Sequence, residues 1–420
     1  VKDFAKMDFF MELETQLNPD EYFDYLRGKG PVTLLPHHNV VAVTGLEEAL
    51  AVYRDPETFS SCNSVTGPFP GLGVKVEGDD ASEAIAKHRC ELPMNEYLVT
   101  QDPPKHKELR SLLMRLFTPR RMSENEGFMW RLADKQIDEF IGQGRCDLQR
   151  DYSQPFALQV IADLLGVPEE DHMRFRTQFG AVPGKVNEDL PADPLAFLDE
   201  TFTGFIEDRR RKPRNDVLTS LATVTFEDGS VPEVSDVVRT ATFLFAAGQE
   251  TTATLMTSAM RILAENETLQ DRLRKHPSEI PAFIEEVLRL EGPVKTDFRM
   301  ARRSTKLAGV EIPAGTTVML AISGVDRDPR RFKAPHEFNA ARENAGEHLA
   351  FGRGIHACPG GPLARLESRI SFERLLARLR GIRLDESVHG KPGARRFDYV
   401  PTYVLRGLTS LHIQFKAEAP

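Results

Sequence analysis

Cys358 stands in the stretch Phe351-Gly352-Arg353-Gly354-Ile355-His356-Ala357-Cys358-Pro359-Gly360, whose residue types suit a metal-binding thiolate. A cysteine ligates as the anion, which needs nearby positive charge or backbone N–H groups to form. Gly352, Gly354 and Gly360 let the chain bend so that N–H groups face the sulfur. Pro359 suits the first turn of a helix, and Leu363 to Ile370 reads as that helix. A thiolate at a helix N-terminus gains from the positive end of the dipole. Cys62, Cys90 and Cys146 lack such company. They show no C-x-x-C spacing and suggest neither a zinc site nor a disulfide framework.

A second constellation is Ala247-Gly248-Gln249-Glu250-Thr251-Thr252, an acid followed by an alcohol inside a long helical pattern from Ser235 to about Glu265. Glycine there costs about 1 kcal/mol of helix propensity. Either a close neighbour packs on Gly248, or small side chains let a flat cofactor approach. A threonine can also bond back to the i−4 carbonyl and bend the helix. Phe243, Ala247 and Thr251, at i, i+4 and i+8, share one face. Thr252, a rival for the alcohol role, lies about 100° further round. Glu286 and Arg289, at i and i+3, can pair on one helix face. His106 and Arg110 share another face, and Arg299 lies in Phe298-Arg299-Met300-Ala301. Arginine suits carboxylates because its guanidinium binds both oxygens at once.

The Cys358 stretch resembles the haem-binding loop of the cytochrome P450 family, Phe-x-x-Gly-x-x-x-Cys-x-Gly, at all four fixed letters. The helix motif resembles that family's Ala/Gly-Gly-x-Asp/Glu-Thr. Glu286-Val287-Leu288-Arg289 resembles its Glu-x-x-Arg, with Arg342 matching the later arginine of a buried network. The motifs follow the family's order, and the resemblance covers about Asp102 to Phe415. It implies haem b (iron protoporphyrin IX) with Cys358 as the axial ligand. His106, Arg110, Arg299 and His356 would bind the propionates, and Phe351, Gly352, Ala247 and Gly248 would contact the ring. Thr251 would be the hydrogen-bonding alcohol on the oxygen side, and Glu250 would relay protons from bulk water. A substrate would meet Phe243, Ala247, Val294, Lys295 and Val404 or Leu405, with parts of Ser60–Thr100 and the loop Gly180–Pro194. Lys295 hints at a polar or acidic group on that substrate. Many members read Asn-Arg-Asp-Pro where this chain has Asp326-Arg327-Asp328-Pro329, a departure expected to touch only a local turn.

The elements that must position these residues are mostly helices. Helical patterns cover residues 19–29, 46–53, 120–142, 153–164, 169–180, 195–212, 267–275 and 278–290. Asp102-Pro103-Pro104 reads as the capped start of a helix to about Phe117. Val32–Leu35 and Val40–Val43 read as a hairpin across His37-His38-Asn39. A short helix is expected near Asp80–Lys87, a small hairpin at Thr223–Ser230, and strands near 298–323 and 403–415. The expected fold is mainly α with a minor β lobe, one domain over residues 1–420.

With 54 basic and 63 acidic residues, a net charge of −9, general nucleic-acid binding is not expected. No apolar run approaches the ~18 residues that span a bilayer, and the charged start is no signal peptide. The resemblance then implies a monomeric cytoplasmic protein of bacterial type without a membrane anchor. Its function would be to insert one oxygen of O2 into a small apolar organic molecule. The cysteine spacings make no iron–sulfur site, so electrons must come from outside the chain, and the resemblance implies a ferredoxin and an NAD(P)H-dependent ferredoxin reductase as their source. Arg110, Arg115, Arg353 and Arg365 are candidates for the basic docking patch. Two alternatives stay open: a peroxide-driven peroxygenase, against which Glu250-Thr251 argues, and a non-catalytic haem or ligand sensor.

Overall fold

The computed structural model describes residues 3–167, 195–226 and 229–418. The helix expected at 169–180 and the loop at 180–194 lie outside them. Everything else is arranged around one 31-residue helix, Val234–Ala264, here called the central helix. It packs against Gln154–Leu165, Ala196–Arg211, Ile280–Glu291 and Gly361–Arg378. Its residues are buried on almost every side, which is why its sequence is apolar or small nearly throughout. The longest break in that burial is Ala246–Thr251, where each residue keeps some open surface.

The β lobe begins with the expected hairpin, β1 (Val32–Leu34) and β2 (Val40–Val43). β3 is Phe59–Ser60, and β4, Arg145–Asp147, joins a second sheet. β5 (Asp297–Ala301), β6 (Thr305–Leu307), β7 (Val310–Ile312) and β8 (Thr317–Leu320) fill the region where strands were expected. The larger sheet runs β1-β2-β8-β5-β3, with β2 parallel to β8 and the other neighbours antiparallel. β9 (Leu379–Leu384) and β10 (His412–Ala417) complete the sheet β4-β10-β9. The sequence reading missed β3, β4 and β9; the first two are only two and three residues long, and β9 follows directly on the helix Gly361–Arg378.

Two local expectations are corrected. Asp102 does not cap its helix, which runs only Lys105–Met114 with Pro104 at the N-cap. The Asp102 carboxylate accepts the Ser61 N–H (2.9 Å) and pairs with Arg302 (2.8 Å). A carboxylate with a charged long-range partner is drawn away from the local cap. Thr223–Phe226 forms no strand. The Phe226 N–H donates to the Ser230 carbonyl (2.9 Å) and closes a loop after a short helix, Val217–Ala222, capped by Asp216. That helix is too brief to show a period.

Glu286, Arg289 and Arg342 do form a buried network. Both Glu286 oxygens accept from Arg289, each at 2.8 Å, and from Arg342 Nε at 3.0 and 3.1 Å. The Asn339 N–H adds a further bond at 3.0 Å. Arg289 also donates to the carbonyls of Asp326, Pro335 and Glu337. One carboxylate and two guanidiniums thus fix the irregular chain that leads to Phe351. Asp326, at the departure from the common pattern, serves the same end. Its carboxylate accepts the Leu349 N–H at 2.7 Å, and burial pushes its pKa up to about 6.

Candidate active site

The Cys358 loop is shaped by two left-handed glycines, Gly352 (φ +61°) and Gly354 (φ +71°). A side chain at Gly354 would also run into the Tyr53 carbonyl. Gly360 is different, because its backbone is ordinary αR and it is the N-cap of the helix Gly361–Arg378, here called the proximal helix. Pro359 precedes that helix, and Pro362 occupies its first turn. The Cys358 N–H is tied to the Phe351 carbonyl at 2.8 Å. Burial raises the pKa of the thiol. The N–H groups of Gly360 and Gly361, with Arg110 and Arg365, work the other way and favour the thiolate. The expected helix terminus beside the sulfur is therefore present. Cys358 is itself accessible while protein crowds it on most sides, the condition of a residue that lines an internal space.

The acid–alcohol pair lies on the partly open stretch of the central helix. The Thr251 hydroxyl donates to the Ala247 carbonyl at 2.7 Å, the back-bond that bends helices. Thr251 keeps open surface, whereas Thr252 is 4% exposed and buried in the packing. The helix geometry thus separates the two rivals. Glu250 is desolvated, which raises its pKa, and its side chain bonds Gln154. Gln154 belongs to another helix and carries no motif, so nothing in the sequence pointed to it. A small cavity is lined by Glu250, Thr251, Thr254, Pro293, Val400, Leu405 and Gly407.

The residues expected at the propionates gather around the other side of the loop. The His106 and His356 rings lie 4.2 Å apart. Both Nε2 atoms are buried without a hydrogen-bond partner among the described residues. Burial holds the His106 pKa down at about 4 and that of His356 well below its ordinary value, so both are neutral. Arg110 donates to the Ala357 carbonyl at 2.7 Å. Arg299 is 4% exposed, held by Asp297 at 2.8 Å and stacked over Tyr53 at 5.3 Å. Tyr53 donates to the same Asp297 at 2.9 Å. Two arginines and two buried ring nitrogens without hydrogen-bond partners suit a group that brings carboxylates.

Three of the expected contacts have close protein neighbours. Gly248 faces Ile161, whose side-chain atoms would lie 3.4 Å from an added Cβ. Its small size serves helix packing on that side. Lys295 is 1% exposed, and its amine donates to the Gln16 carbonyl. Its pKa is lowered to about 7 by burial and Arg406. It points at the N-terminal segment. Val404 accepts the Lys295 N–H through its carbonyl (2.9 Å), while its neighbour Leu405 bridges Val294 and lines the cavity beside Thr251. Phe243 keeps its expected face, its ring 6.2 Å from that of Tyr97. The arginines proposed for docking are engaged as well. Arg353 donates to the Gly352 and His348 carbonyls, Arg115 to that of Thr225, and Arg365 pairs with Glu285.

The cytochrome P450 family model matches residues 143–386. The monooxygenase PikC of Streptomyces venezuelae is 34% identical over 94% of this chain and 91% of its own length. The chain belongs to the cytochrome P450 family. Among solved structures, substrate-free cytochrome P450 CYP150A6 of Mycobacterium marinum is similar at 54% identity and TM-score 0.94. That match covers 99% of this chain and 100% of that one. CYP109E1 of Bacillus megaterium, solved in complex with corticosterone, is 27% identical, covering 96% of this chain and 99% of that one, with TM-score 0.79. As a cytochrome P450, the protein is a haem b monooxygenase with the helix-rich single fold of the family. Among the described residues no helix is long and apolar enough to cross a membrane. The orphaned histidine nitrogens, the two arginines and the thiolate-favouring loop all fit haem b.

Proposed function

We propose that this P450 oxygenates a small apolar organic molecule with electrons from a ferredoxin and its NAD(P)H-dependent reductase. The observation that carries the reading is the split between Thr251, open to the cavity, and the buried Thr252. Thiolate-bound haem supplies the cleavage of dioxygen. Cys358 would hold its iron, and His106, Arg110, Arg299 and His356 would hold its propionates. Thr251 can turn its hydroxyl from the Ala247 carbonyl toward the cavity and donate there. Glu250, desolvated and so more ready than a free carboxylate to carry a proton near neutral pH, passes protons to that side. Phe243, Val294 and Leu405 present apolar surface to the substrate, and such surface recognises shape more than charge. The named steroid complex of CYP109E1 makes polycyclic compounds a sensible first panel.

Two measurements test this. Turnover with NAD(P)H, a ferredoxin and its reductase should give oxygenated product from at least one apolar compound that shifts the haem spin state. Turnover with peroxide alone, and none with electrons, would overturn the reading. In Thr251→Ala, NAD(P)H consumption should continue while product falls and hydrogen peroxide is released. Coupling equal to that of the parent would remove Thr251 from the reaction.

A further inference from the structure

Glu285 precedes Glu286 but takes no part in the Glu286–Arg289–Arg342 network. Its carboxylate binds Arg365 with two parallel bonds, from Nε to Oε1 at 2.6 Å and from Nη2 to Oε2 at 3.0 Å. His348, with a fully buried side chain, stands against the same carboxylate at 3.2 Å. The Ala350 N–H donates to His348 Nδ1 at 3.2 Å, so the ring proton lies on Nε2 and is donated to Glu285. The Arg365 guanidinium stacks over the Phe351 ring at 4.5 Å, and the Phe351 carbonyl holds the Cys358 N–H. Arg365 is thus fixed beside the Cys358 loop, with its carboxylate partner on one side and an aromatic ring on another.

An exposed ion pair is usually worth little because water screens it. Here the Glu285 side chain is 20% exposed and that of His348 not at all, while Arg365 keeps 40%. The inner side of the pair faces protein, where screening is weak and a charge acts further. Arg365 is among the charges that favour the Cys358 thiolate. Any group that stabilises negative charge at the sulfur also stabilises the extra electron of the reduced iron.

We infer that the Glu285–Arg365 pair sets the reduction potential of the iron bound by Cys358, with Arg365 raising it and Glu285 restraining that effect. The inference rests on the reading of Cys358 as ligand. One electron, from a reduced ferredoxin in turnover or from dithionite in a titration, takes ferric iron to ferrous, and no bond forms or breaks in the pair. Glu285 and Arg365 are positioning residues that act through Cys358.

The test is a spectroelectrochemical titration of the full haem-loaded chain. Glu285→Gln, nearly the same shape without the charge, should raise the potential. Arg365→Gln should lower it, Arg365→Lys should stay closer to the parent, and the double variant E285Q/R365Q should fall between the single ones. Loosening of the loop would move both single variants the same way. Shifts of the same sign, or none, therefore overturn the inference. The reduced carbon monoxide spectrum of each protein separates the two levels. A thiolate-type band with unmoved potentials overturns the tuning and leaves Cys358 as ligand, whereas a parent without that band overturns both.

Discussion

Glu286→Ala is expected to yield little folded, haem-holding protein. Glu286 accepts every charged bond that Arg289 Nε and Nη2 and Arg342 Nε direct at it, and it is fully buried. Removing it leaves two guanidiniums in the interior without their counter-charge. Breaking one side of a buried pair costs about 3–5 kcal/mol, against a total stability of about 5–15 kcal/mol for a folded domain. The chain from Asp326 to Phe351 would lose its anchor at the same time, because Arg289 holds the Asp326, Pro335 and Glu337 carbonyls. Glu286→Gln, which keeps the shape and one acceptor, should fall between. Denaturant midpoint and haem per protein are the measurements. An alanine variant that unfolds at the parent's midpoint and retains its haem would show that the network does not support the Cys loop.

Cys358→Ala should abolish electron-driven turnover while leaving the polypeptide folded. The loop does not depend on the sulfur for its shape. Gly352, Gly354, the Cys358 N–H to Phe351 bond and the contact with Tyr53 are backbone features that alanine retains. His106, Arg110, Arg299 and His356 would still receive the propionates, so haem should bind, more weakly, without its thiolate. Weaker haem retention, a denaturant midpoint near the parent's and no oxygenated product form the expected triad. Turnover near the parent's level would remove Cys358 from the chemistry.

The Cys358 loop and the acid–alcohol pair were legible in the sequence because their backbone demands leave short, fixed letters. Gly352 and Gly354 occupy positions that need positive φ, and Thr251 falls on one helix face by simple periodicity. The long helices were legible for the same reason, since the central helix declares its burial over eight turns. What escaped was set by distant neighbours. Gly248 carries the same letter whatever packs on it, and only the fold places Ile161 beside it. Lys295 looked like a polar point in a pocket, yet a carbonyl nearly three hundred residues earlier takes its amine. Asp102 had every mark of a cap and was claimed by Arg302. Gln154, the partner of Glu250, and the Tyr53–Asp297 pair that frames Arg299 gave no local signal at all. A residue's type states which bonds it can make, and long-range packing decides which of them it does make.

The most direct test of Cys358 as the haem ligand is the absorption spectrum of the reduced carbon monoxide complex, recorded on the intact protein and on Cys358→Ala. The intact protein should show the long-wavelength band of a thiolate-ligated haem, and the variant should lose it. The same band in both proteins, or its absence from the intact protein, would contradict the assignment.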